Sequence, residues 1–281
     1  MQDYFEPWFS FKTPIVRQLA FVIASPNIIQ SLPQELVVNH QLSLHDSSFW
    51  QEMYDHYYPR LVALDEDPEE LLNFLSKLKS TRLGLRFEFL MWFWLQDNKY
   101  HHYQIIHHSF QVIDGKNTLG ELDFVLLNKT TNEIEHWEVA LKYYLGESDL
   151  SLTHWYGLNR SDTLHRKLNH FSQKQFQFTQ VQNLSIQKRY AVLKGQLYFP
   201  LYNATLSPKW INQARRIGTW GHQIFNQGYY RLQRHEWICD NFEKTSDDAS
   251  WWCNGLYLNN KEKQYYMFRQ APILNTSVLK M

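Results

Sequence analysis

Gly120-Glu121-Leu122-Asp123-Phe124-Val125 and His136-Trp137-Glu138-Val139-Ala140-Leu141-Lys142 are the two stretches on which the fold turns. Both have strand character, and the polar run Asn128-Lys129-Thr130-Thr131-Asn132 between them reads as a hairpin turn. Each strand carries an acid among apolar neighbours: Asp123 beside Phe124 and Val125, Glu138 between Trp137 and Val139. A buried carboxylate without a partner is costly, so a strand does not carry one casually. Residues two apart share a face, which sends His136, Glu138, Ala140 and Lys142 one way and Trp137, Val139, Leu141 and Tyr143 the other. Glu121 and Asp123 likewise share a face. Across the hairpin Asp123 and Glu138 meet at about 5 Å, where two carboxylates repel unless a cation lies between them. The pattern predicts a hard divalent cation with oxygen ligands, Mg²⁺ or Mn²⁺, with Lys142 beside it. Such an ion polarises a phosphoryl oxygen and acidifies bound water, and a nearby lysine offsets charge in the transition state. The alternative, salt bridges on a solvated sheet face, is preferred for Glu121 alone.

Upstream the chain reads as helical. Pro14 to Ile23 is mostly apolar and stops before Ser25-Pro26, since the residue before proline disfavours helix. Residues 47–63 hold an aromatic amphipathic pattern with Pro59 near its end. Asp67-Pro68-Glu69-Glu70 is a helix start, with a cap, a first-turn proline and acids at the positive end of the dipole. Residues 80–96 form a nearly all-apolar helix interrupted only by Arg82, Arg86 and Glu88, and are therefore buried on most sides. A strand over 100–113 precedes the decisive pair. Downstream, Arg160 to Gln173 is helical, with Leu164, Leu168 and Phe171 on one face and Arg166 and Lys167 on another. Residues 189–199 form a strand or a broken pair. Ser207-Pro208-Lys209-Trp210 reads as another helix start, and short strands follow at 229–232, 255–258 and 264–268.

The 281 residues are 44% hydrophobic and 16% aromatic, enough for a sizeable core and unlike a disordered chain. No run approaches the ~18 apolar residues of a membrane span, and the start lacks a basic, cleavable leader. Cys239 and Cys253 form neither a Cys-x-x-Cys motif nor a disulfide framework and are expected as reduced thiols of a cytoplasmic protein. The zero net charge hides segregation: residues 1–150 carry 11 Lys and Arg against 21 Asp and Glu, whereas residues 151–220 carry 10 against one, Asp162. A basic stretch of that kind suits a polyanion, or it pairs with the protein's own acidic half. A homodimer in which the two halves neutralise each other is a further reading.

The order of a buried helix with Glu88, then Gly120 to Phe124, then Trp137 to Lys142 resembles the PD-(D/E)xK nuclease superfamily, and Gly120 to Asp123 is similar to its Holliday-junction-resolvase-like branch. More of the chain resembles an uncharacterised bacterial family, domain of unknown function 1853. That likeness is carried by Val16 to Ala20 with Ser25-Pro26, Leu83-Gly84 through Glu88, Glu138 to Gly146, and Trp155 to Arg160 with Asp162, Leu164 and Lys167. The superfamily likeness implies an α/β fold: a restriction-endonuclease-like core at residues 80–200, with a helical N-terminal extension at 1–79 and an α+β C-terminal region at 201–281. It implies Mg²⁺-dependent hydrolysis of DNA phosphodiesters, with Asp123, Glu138 and the Val139 carbonyl on the metal. Lys142 would be the catalytic lysine, Glu88 would act directly or through water, and Arg160, Arg166 and Lys167 would meet phosphates. The alternative is a nuclease-fold protein that binds nucleic acid or a protein partner without cutting. One departure stands out. The superfamily lysine lies two residues after the glutamate, where this chain has Ala140. Lys142 is one rung further, at a backbone separation of roughly 13 Å instead of roughly 7 Å.

Other chemistry is weaker. Adjacent histidines at 101–102 and 107–108 face opposite ways on a strand and lack a nearby cysteine, which argues against zinc. There is no Gly-Lys-Ser/Thr phosphate loop and no Gly-x-Ser-x-Gly elbow. The 11 tryptophans and 17 tyrosines could stack on unpaired bases but serve mostly as packing.

Overall fold

The computed structural model describes residues 4–202, 205–240 and 242–271, so the ends of the expected N- and C-terminal regions, residues 1–3 and 272–281, lie outside the described residues. Four helices lead: α1 (Pro14–Ala24), α2 (Ser47–Glu66), α3 (Glu69–Leu75) and α4 (Leu83–Gln96). Pro14 opens α1, and Asp46 caps α2 by accepting from the Phe49 N–H at 2.8 Å. Pro59 does not end α2. The helix runs on to Glu66, and Leu61 and Leu64 beyond the proline are buried.

Then come β1 (Tyr103–Asp114), β2 (Asn117–Asn128), β3 (Glu133–Gly146) and the short β4 (Trp155–Tyr156). Helix α5 (Leu164–Gln173) follows, starting later than the pattern predicts. Thr163 caps it by accepting from the Arg166 N–H at 3.1 Å, which leaves residues 160–163 in the loop before it. A small hairpin, β5 (Gln180–Val181) and β6 (Leu184–Ser185), leads to β7 (Lys188–Pro200), one continuous strand. The rest holds β8 (Gly218–Gly221), β9 (Tyr229–Arg231), β10 (Gly255–Asn259) and β11 (Gln264–Phe268). The helix predicted from Ser207-Pro208 does not form. The chain turns there, with Ile211 donating to the Pro208 carbonyl at 3.1 Å and bridging to Ile29.

One mixed sheet takes the order β1-β2-β3-β7-β8-β11-β10-β9, with β4 added beside β3. The first three strands are an antiparallel meander, whereas β3, β7, β8 and β11 run parallel to one another. Residues after 200 thus extend the sheet that the decisive hairpin begins. Gly195 lies opposite Lys142 in the β3–β7 register with φ +124°, and a Cβ there would overlap the Lys142 carbonyl.

Helices α1, α2 and α4 cover one face of the sheet, where Trp137, Val139, Leu141, Tyr143 and Leu145 of β3 join their core. The other face belongs to α5 and the segment around Ile28 to Leu42, packed on Ala140, Tyr144, Ala191 and Leu193. This alternation puts His136, Glu138 and Lys142 on the α5 face.

Candidate active site

The β2–β3 ladder runs from Asn128 opposite Glu133 to Phe124 opposite Trp137, and there the backbone pairing stops. Side chains take over. The Val139 N–H donates to Asp123 Oδ2 at 2.9 Å, and the Asp123 N–H donates to Glu138 Oε1 at 3.4 Å. Each acid thus accepts a backbone N–H of the other strand just beyond the end of the ladder. The two strands are pinned together through the carboxylates expected to meet there.

Glu138 is fully buried. Its Oε1 lies 2.7 Å from Nε2 of His136, also fully buried, and its Oε2 accepts from the Gln175 side-chain amide just beyond α5. Burial raises the Glu138 carboxyl to about 8 against the pull of the nearby Lys167 charge. Asp123 is also pushed well up, by burial first and by the Glu138 charge second, with Glu88 adding to it. Burial drives His136 down to about 3, so its imidazole is neutral at pH 7. Among the described residues no arginine or lysine lies within 4.0 Å of either carboxylate of the pair.

The two lysines divide. Lys142 Nζ donates to Asp162 Oδ2 at 2.6 Å, and the Tyr144 hydroxyl approaches the other Asp162 oxygen at 3.4 Å. Lys167 comes from α5 instead. Its Nζ donates to Gln175 Oε1 at 3.1 Å, so Gln175 links the ammonium to Glu138. Burial lowers the Lys167 ammonium, while the charges of Glu138 and Asp123 hold it up. Ser161, Asp162, Arg166, Lys167 and His170 line a cavity of about 300 Å³.

Glu88 stands apart on α4, on the opposite face, with Oε1 3.2 Å from both His108 Nε2 and the Ser109 hydroxyl that donates to it. Arg160 is held by both Glu147 oxygens at 2.6 and 3.0 Å and stacks on Tyr156 at 4.1 Å. Arg166 is exposed, and one guanidinium N–H reaches the Ser161 carbonyl at 3.1 Å. Of the basic stretch, Arg160, Lys188, Arg215 and Arg216 meet Glu147, Glu133 and Glu6 within the chain.

The donor set at the strand pair suits a hard cation: two buried carboxyl groups whose protonation burial raises, with no bonded ammonium or guanidinium. It is a sparse set. Among the described residues no three His, Cys, Asp or Glu side chains gather in a metal-binding group. His136 and Gln175 are not among the site residues that the strand pattern or the family resemblance points to. His136 was legible in principle, two residues before Glu138 on the same face. Gln175 carries no signal, because only the path of the chain after α5 brings it there.

Fold and site together define a mixed α/β protein with an acid pair at a break between two central strands. Residues 17–270 match the model of a family described as a domain of unknown function, DUF1853, and the chain belongs to that family. No curated protein and no solved structure matches it. No helix among the described residues is long and apolar enough to cross a membrane.

Proposed function

We propose that Asp123 and Glu138, with the Val139 carbonyl, hold Mg²⁺ or Mn²⁺ and that the protein hydrolyses phosphodiester bonds in nucleic acid, with DNA the expected substrate. The observation that carries this reading is the acid pair itself. Two carboxylates are brought together at a ladder break, burial pushes both toward protonation and the Glu138 charge pushes Asp123 further, without an ion-pairing base. Bound there, the metal would supply charge for a phosphoryl oxygen and acidify a water. The remaining chemistry belongs to the chain. His136 and Gln175 fix the Glu138 carboxylate, and Lys167 brings a positive charge to the α5 side of the pair. Arg166, next to it on the same cavity, meets the phosphate backbone. Helix glutamate, strand aspartate and strand glutamate follow one another in α4, β2 and β3 as in the PD-(D/E)xK arrangement, which supports a nuclease-like core.

The second reading, a nuclease-fold protein that binds without cutting, draws on Lys142 and Glu88. The first is engaged by Asp162 and the second by His108 and Ser109. The test is incubation of the purified protein with labelled linear, branched and single-stranded DNA and RNA in Mg²⁺, Mn²⁺ or EDTA. Metal-dependent cleavage lost in both Asp123→Asn and Glu138→Gln supports the enzyme. Salt-sensitive binding without cleavage in every protein supports the second reading. Absence of both sinks the two together.

A further inference from the structure

The C-terminal strands build a second polar cavity, of about 480 Å³, whose walls include Arg231, Arg234, Arg269, Trp237 and Leu158. Arg231 lies at the end of β9, Arg234 in the turn after it, and Arg269 just beyond β11. Among the described residues none of the three guanidinium groups has a carboxylate within 4.0 Å. They are held by neutral groups. Arg231 donates to the Asn254 carbonyl at 3.1 Å, Arg269 donates to the Leu158 carbonyl at 2.9 Å, and Arg234 lies 4.1 Å from the centre of the Trp237 ring. Carbonyls and an aromatic face orient these charges without neutralising them. A guanidinium has five N–H donors, so one bond to a carbonyl leaves most of each fork available. Three like charges around one concavity focus a positive potential inside it.

The geometry points to a phosphate-binding pocket at this site, one that takes a phosphate ester with its anionic oxygens on Arg231, Arg234 and Arg269 and its organic part against Trp237 and Leu158. Arginine forks match phosphate oxygens in charge and in bidentate geometry. A bare anion would leave much of the cavity empty, and the volume lies in the range of small-molecule sites. Leu158 belongs to the loop that continues to Asp162 and α5, so the pocket adjoins the segment that carries Arg166 and Lys167. The pocket takes a phosphate ester whether or not the acid pair holds a metal.

The test is calorimetric titration of the full chain in EDTA with inorganic phosphate, a nucleoside monophosphate, and a short oligonucleotide with or without a terminal phosphate. Arg231→Gln and Arg269→Gln are each expected to weaken phosphate about tenfold, the loss of one charge-assisted contact. Gly255→Ala is the second kind of variant. A Cβ there would lie 2.8 Å from Arg231 Nε, so the charge is kept but displaced, and binding should weaken without loss of fold. A monophosphate that binds more tightly than the oligonucleotide identifies a small ester. The reverse order identifies nucleic acid, at its terminus if the end phosphate matters and along its backbone if it does not. Phosphate affinity equal in the wild type and all three variants, or no saturable binding by the folded wild type, overturns the proposal. Since no metal is present, failure of metal-dependent cleavage leaves this result standing, and failure here leaves the acid pair untouched.

Discussion

Lys194 and the Asp123–Glu138 pair both take charge out of water on the central strands, but on opposite faces and with opposite outcomes. Lys194 of β7 is fully buried under the helical layer. Its Nζ donates to the carbonyls of Val22 at 2.6 Å and Ile23 at 3.2 Å, in the last turn of α1, and lies 3.4 Å from the centre of the Trp50 ring. A cation at a helix C-terminus meets the negative end of the dipole and carbonyls without intrahelical partners. Burial still drives its ammonium well below the ordinary range, yet each neighbour suits a donor. The acid pair has the reverse environment, like beside like, with its nearest cation engaged through an amide. A buried charge met by complementary dipoles ties α1 to the sheet. A buried like-charge pair stores a deficit that a ligand can relieve.

The largest effect expected from this contrast is on cleavage. Asp123→Asn and Glu138→Gln should each lower metal-dependent hydrolysis by at least about a hundredfold, the scale of one lost catalytic group. Their urea midpoints should equal or exceed that of the wild type at pH 8, because a buried charge is removed while one amide oxygen in each variant still accepts from the facing backbone N–H. A steep loss of stability in both would mean that the carboxylates are structural.

Lys194 should behave in the opposite sense. Lys194→Ala leaves a cavity and two orphaned carbonyls and should cost about 3–5 kcal/mol in urea unfolding. Lys194→Met fills the space but not the hydrogen bonds and should cost less, about 1–3 kcal/mol. Near-wild-type stability of the alanine variant would break the comparison.

The pH dependence carries opposite signs on the two faces. The folded-state value of Glu138, about 8, lies above its ordinary 4.5, so the folded protein binds more protons between them. Its contribution is present below 4.5 and is lost as pH rises to about 8. His45, on the helical face, is stacked between Phe49 at 3.8 Å and Tyr190 at 3.9 Å. Burial lowers it from 6.5 to about 3, so stability falls as pH drops through that window. Unfolding followed by urea at pH 4 and pH 8 should find Glu138→Gln stabilised relative to wild type at pH 8 only. Mg²⁺ should narrow that gap. An equal difference at both pH values would show that Glu138 does not titrate in the fold.

The hairpin was the legible part. Alternation in residues 134–145 places Glu138 on one face and Trp137 on the other, because strand period is a local property. The helices up to Gln96 were legible from caps and apolar runs. Neither Gln175 nor the role of Lys194 could be read, since both depend on segments far apart in sequence: Glu138 with Gln175, and β7 with the end of α1. Ser207-Pro208 misled for a related reason. A local helix-start signal yielded to the long-range bridge between Ile211 and Ile29, a tertiary override of propensity. The placing of Lys142 lies between these cases. Its face followed from parity, but its partner Asp162 sits in a loop that no periodicity locates.

The smallest effect separates the two lysines. Lys142 and Asp162 are 27% and 39% exposed, so solvent screens their pair and Lys142→Met should change stability by less than about 1 kcal/mol. Lys167 acts on the acid pair itself, as its charge holds the Glu138 carboxyl down against burial. Lys167→Met should therefore raise the pH at which cleavage or metal binding reaches half its maximum, and Lys142→Met should leave that midpoint in place. A pH profile for each variant decides the matter. If the midpoint moves only in Lys142→Met, the lysine on the β3 strand governs the pair despite its bond to Asp162. If it moves only in Lys167→Met, the cation that serves the acid pair comes from α5, across the gap that Gln175 spans.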